Sequence, residues 1–177
     1  DGILKLGATG GGTNTPLGTT GGRTTVASGA TLDLNGYNLG TAEALTISGT
    51  GYGSAGALTN SSATGVTYTG LLTLGADATV KSSSGSIVLS NSGTITGATY
   101  TLTLDGTATG SSLASIVGTT TGGITKNGTG TWTLSGASTY TGATAINNGT
   151  LKLGAAGGST NTPLGTTGNR TTVASGA

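Results

Sequence analysis

The sequence predicts an all-β chain wound as a β-solenoid, and three observations carry that prediction. Short apolar-x-apolar triplets recur along the whole length, each closed at once by a turn residue. Gly and Asn mark the corners between them, where tight turns need positive φ. Residues 148–177 repeat residues 1–30 at a constant offset, differing only at 1/148, 3/150, 9/156, 12/159 and 22/169. The chain thus reads as one complete period, residues 1–147, followed by the opening of the next, residues 148–177, within a longer tandem array.

The triplets come in order as Leu4–Lys5–Leu6, Leu32–Asp33–Leu34, Leu45–Thr46–Ile47, Leu72–Thr73–Leu74 and Ile87–Val88–Leu89. Leu102–Thr103–Leu104, Trp132–Thr133–Leu134 and Leu151–Lys152–Leu153 complete the series. Period two puts both apolar residues on one face and a Thr, Lys or Asp on the other. Between them lie shorter strands with one central aliphatic residue, such as Thr24–Thr25–Val26, Ala78–Thr79–Val80 and Thr94–Ile95–Thr96. Ser28–Gly29, Ser92–Gly93, Asn127–Gly128 and Asn148–Gly149 supply corners. No eleven-residue window carries a helical period.

Composition decides between the two architectures open to such short strands. A sandwich needs strands of about five or six residues and aromatic bulk between two sheets; here aromatics are 3 % and Phe is absent. A solenoid needs only a narrow aliphatic core and sharp corners, which 37 Gly and 41 Thr in 177 residues suit. At roughly 20–25 residues per coil, one period holds about six or seven coils and spans about 30 Å. Gly without a three-residue period excludes collagen, and the apolar alternation excludes a disordered linker.

Further absences narrow function. With no Cys there is neither a disulfide framework nor a thiolate metal site. A net charge of +1 gives no reason to expect nucleic acid, and no apolar run approaches the ~20 residues that span a bilayer.

The stretch from Gly123 to Gly154 resembles the autotransporter-associated β-strand repeat. Lys126, Gly128, Gly130, Trp132, Leu134, Gly136, Tyr140, Gly142, Gly149, Leu151 and Leu153 fall on that family's pattern, and residues 29–39 resemble the segment that often follows it. The resemblance implies a right-handed parallel β-helix, carried at the bacterial surface or outside the cell as stalk or adhesin passenger. It implies no catalytic residues.

The acidic residues are Asp1, Asp33, Glu43, Asp77 and Asp105; Asp33 and Asp105 end strands, where Asp accepts N–H bonds of a turn. With no His or Cys to complete a site, the expectation is no catalytic, cofactor-binding or metal-binding residue and no enzyme. Gly49–Thr50–Gly51–Tyr52–Gly53 looks like a phosphate loop but lacks the Lys, so a Gly-rich corner is expected. Trp132 and Tyr140 could stack on sugars or pack between coils, and packing is the commoner use. Thr-x-Thr steps such as Thr94–Ile95–Thr96 suggest an ice-binding face, against which their irregular spacing argues. Asn60, Asn127, Asn148 and Asn169 match the glycosylation pattern but are read as turns. Pro16 predicts a protruding loop over Thr13–Gly18, repeated at 160–165.

The functional expectation is therefore a structural segment of an extracellular bacterial rod, fibre or sheath, self-associating through solenoid stacking and lateral contacts. Its partners would be further copies of the same repeat, with glycans as a further possibility. The alternative is an adhesin or ligand-binding passenger stalk, with ice binding behind it.

Overall fold

The computed structural model describes residues 1–19 and 21–177. Its architecture is a parallel β-solenoid of about six turns, and each regular coil contributes three short strands to three faces. The first face stacks Gly2–Lys5, Ala30–Asp33, Leu58–Asn60, residues 78–82, Leu102–Gly106, Ile124–Lys126, Thr144–Ile146 and Thr171–Val173. The second stacks Thr24–Val26, Leu45–Gly49 and residues 72–74, and continues through a bridge from Thr73 to Thr96 into Thr94–Ile95 and Ile116–Val117. The third stacks Val66–Tyr68, Ile87–Leu89, Ser111–Leu113, Thr131–Leu134 and Thr150–Leu153. From residue 66 onward the chain visits third, second and first face in turn.

Parallel pairing in strict register puts like over like. On the first face one inward file runs Leu4, Leu32, Leu58, Val80, Leu104, Lys126, Ile146 and Val173. On the third face Tyr68, Leu89, Leu113, Leu134 and Leu153 form another. These files converge on a single buried core, and at about 25 cal/mol per Å² their burial is the main force opposing chain entropy. Outward positions form files too: Thr79, Thr103, Thr125, Ala145 and Thr172 on the first face, and Thr25, Thr46, Thr73 and Thr96 on the second.

The irregular strand spacing of the sequence is absorbed at the corners. Successive rungs of the first face lie between 20 residues apart (Ile124 to Thr144) and 28 (Gly2 to Ala30), yet register is kept. Coils therefore exceed the expected length in places. Residues 72–82 form one eleven-residue strand serving two faces, longer than the triplet pattern foretold. The Gly49–Gly53 stretch is indeed a corner, with Gly49, Gly51 and Gly53 at positive φ and a single 3₁₀ turn over Tyr52–Ser54. Gly93, read as a corner residue, lies outside the positive-φ set, whereas Gly29, Gly128 and Gly149 are in it.

The Pro16 segment is not a free loop. Asn14–Thr15 and Gly18–Thr19 pair antiparallel as a small hairpin around Pro16–Leu17, and Thr15 is buried. The second copy forms the same hairpin, Asn161–Thr162 with Gly165–Thr166.

Candidate functional site

Each acidic side chain with a described partner is tied to the scaffold. Asp33 Oδ1 accepts from the N–H groups of Asn35 (2.9 Å) and Ser61 (3.0 Å), and its Oδ2 accepts from Ser61 Oγ at 2.6 Å. Lys5 Nζ lies 3.5 Å away. Burial pushes this carboxyl upward, but the Ser61 and Asn35 hydrogen bonds and the Lys5 charge outweigh it and hold it below 3.8. Asp105 Oδ1 accepts from Gly106 N–H at 2.7 Å and its Oδ2 sits 3.4 Å from Lys81 Nζ. Asp77 Oδ1 accepts from Thr101 N–H of the next coil at 2.7 Å. The strand-end roles expected of Asp33 and Asp105 are thus those observed, extended by cross-coil bonds the sequence did not show.

Glu43 is buried, and among the described residues it has no basic partner. Its two carboxylate oxygens accept from Thr24 Oγ1 (3.0 Å) and Thr15 Oγ1 (3.1 Å), and its carbonyl accepts from Tyr68 OH at 2.6 Å. Burial, then the nearby Glu43 charge, push the Tyr68 hydroxyl well above its usual value. Glu43 therefore clamps the first hairpin to the coil beneath it. Nothing in the triplet pattern flagged this, because the partners are 19 and 28 residues away.

The coil from residue 124 to 153 holds Trp132, Tyr140 and Lys126, three of the four bulkiest fully buried side chains. Trp132 and Tyr140 are both fully buried, so neither can stack on a sugar, and packing between coils is their role. Trp132 Nε1 donates to Asp105 O at 3.1 Å. Tyr140 OH lies 2.6 Å from Thr144 Oγ1, and burial pushes the phenol up to about 12 against the opposing Thr144 bond.

Lys126 is the exception in the aliphatic file. Its stem stacks between Leu104 and Ile146, and its ammonium bends into the corner to donate to the carbonyls of Asn127, Gly128 (2.7 Å) and Asn148 (3.2 Å). Burial lowers its pKa while the Asp105 charge opposes the shift. All three ammonium protons therefore have acceptors inside the fold, which is the condition for tolerating a buried cation.

Among the described residues no group of three His, Cys, Asp or Glu side chains could hold a metal ion, and no helix is long and apolar enough to cross a membrane. Asn60 is wholly buried, with its Oδ1 accepting from Gly36 N–H and its Nδ2 donating to Thr64 O and Ser86 O. Asn60, expected in a turn, instead ends the strand Leu58–Asn60, and its buried amide is closed to a glycan.

Such a fold, with its buried corner lysine and aromatic pair, is that of a β-solenoid repeat. Residues 124–153 match the passenger-associated-transport-repeat family. The chain carries this repeat, and repeat and solenoid together fit an autotransporter passenger repeat protein. No curated protein and no solved structure was found to match.

Two outcomes follow at these positions. Lys126→Met keeps the stem but leaves three corner carbonyls without their donor. Thermal unfolding should register a loss of about 2 kcal/mol, the cost of unsatisfied buried acceptors; an unchanged or raised melting temperature would show the ammonium to be dispensable. Asp33→Asn should destabilise at neutral pH. Because the folded pKa lies below 3.8, the aspartate's contribution is complete above that value and fades as pH falls through the folded pKa. Denaturant titrations at pH 7 and below pH 3 should show the gap between the two proteins closing in acid.

Proposed function

We propose that the chain is a structural segment of an extracellular bacterial rod or fibre, its passenger repeat supplying reach and stiffness rather than chemistry. One observation carries this reading: the first face runs unbroken from the first copy of the thirty-residue block, through the passenger-repeat coil, into the second copy. A solenoid with such continuity transmits load along backbone ladders, and each coil depends only on its neighbours. The family's passenger setting supports a secreted or surface-exposed location. Association with further copies, end to end and side by side, would then build the fibre, and the sparsely charged, near-neutral Thr-rich surface limits capture of unrelated partners.

A second reading has one observation in its favour. The outward file Thr25, Thr46, Thr73 and Thr96 lines up despite unequal spacing in the sequence, making a regular hydroxyl strip on which a glycan or a neighbouring cell surface could lie. It is a single file, whereas an ice face needs a two-dimensional lattice.

Immunogold labelling of intact cells with antibody raised to this chain distinguishes these readings. The rod proposal expects label strung along filaments outside the envelope. Label confined to the cell interior would overturn it, and label on short unassociated spikes that bind glycan arrays would favour the stalk.

A further inference from the structure

The two copies of the thirty-residue block do not occupy equivalent places. Gly2–Lys5 lies on the first face, but its counterpart Thr150–Leu153 lies on the third. Thr24–Val26 lies on the second face, but its counterpart Thr171–Val173 lies on the first. Both elements are displaced by one face, in the same direction along the winding. From Gly2–Lys5 to Thr144–Ile146 the first face has seven rungs, both ends included, hence six coils, and the next strand, Thr150–Leu153, sits one face further on. The 147-residue period is therefore six coils and a third.

The copies are also buried from opposite sides. The first packs on the coil that follows it: Leu6 N–H donates to Asp33 O, Thr24 N–H to Ala44 O, and Val26 pairs with Ile47. The second packs on the coil that precedes it. Leu151 pairs with Trp132, Leu153 with Leu134 and Val173 with Ile146, while Ser138 N–H donates to Thr162 O and Thr166 N–H to Tyr140 O. Exposure is complementary as a result. Leu6 and Val26 are 2 % and 6 % exposed, their counterparts Leu153 and Val173 48 % and 62 %. Leu4 is 56 % exposed, and its counterpart Leu151 is partly covered. No atom in these two sets of bonds serves both, and none of the five differing positions contributes a side chain to them.

Between Ile3, Leu4, Val26 and Leu32 this arrangement leaves an apolar cleft of about 310 Å³ at one end of the solenoid. We propose that this cleft is the seat of the 131–146 coil of another copy of the period, with Trp132 over Leu4 and Ile146 over Val26. The same contacts are already made within the chain, between that coil and the second copy of the block. The thirty-residue block is thus a two-sided connector, one side seen in each copy. Joined through it, successive periods turn by one face, about a third of a revolution, so that the Pro hairpins wind around the rod instead of lining one side. Three periods bring a hairpin back to its starting face. The inference rests on the rod reading above.

Extending the protein by one period, with residues 31–177 added after Ala177, tests both parts. Small-angle scattering should show one stiff rod about 30 Å longer. Spin labels placed on cysteines at Asn161 and at its counterpart in the added period should lie further apart than that axial rise. A separation equal to the rise would put the hairpins on one face and overturn the rotation while leaving the rod intact. Two rods joined by a hinge would overturn connector and rod together. Leu151→Asp in the extended protein should lower the melting temperature by roughly 5 °C or split the transition, whereas Leu4→Asp, at the open end, should shift it by no more than about 1 °C. Equal effects would show that the block does not couple the periods.

Discussion

Register between coils is the constraint on which everything else depends. A parallel ladder fixes each residue above its counterpart, so a one-residue slip would turn every inward Leu, Ile and Val to solvent. The file from Leu4 to Val173 shows how firmly this is held, since eight rungs align although the coils differ in length by up to eight residues. Length variation has to leave the strands, and it collects in the corners. There the backbones of adjacent coils touch: a Cβ on Gly128 would strike the Gly106 carbonyl, and one on Gly149 the Gly128 carbonyl, and both glycines adopt positive φ. Gly is required at these two positions for space and for conformation alike.

The same register explains the polar residues inside. Lys126 occupies a file that is otherwise aliphatic at every buried rung, and it survives because the corner beside it offers carbonyls at the reach of its stem. Glu43 survives because the Pro hairpin presents the Thr15 hydroxyl and the neighbouring second-face strand that of Thr24. Thr144, four residues on in the same coil, bonds the Tyr140 hydroxyl. In each case a corner or a neighbouring segment satisfies the buried group, and removal of either partner would leave an unpaired polar atom in a low-dielectric interior. These groups make the stack specific as well as stable.

Much of this was legible in the sequence, and what was not has a physical reason. The triplets located the strands because period-two alternation is a local property. The coils themselves could not be drawn, because register is set by pairs such as Leu32 with Leu58 that no local window contains. For the same reason Thr25, Thr46, Thr73 and Thr96 look irregular along the chain and form a file in space. Trp132 and Tyr140 stood on the family pattern, but only the stacking shows that both point inward. The rotation of the repeated block by one face was wholly hidden, since two nearly identical sequences give no sign that they occupy different faces.

The absence of cysteine allows the register to be tested directly. Parallel neighbours on one face lie about 4.8 Å apart, within the Cα range that a disulfide bridges, while a two-residue offset exceeds it. Thr103→Cys combined with Thr125→Cys should oxidise quantitatively to an intramolecular disulfide, and Thr103→Cys combined with Asn127→Cys should remain reduced under the same conditions. Preferential closure of the offset pair, or failure of both in a folded protein, would contradict the stacked solenoid.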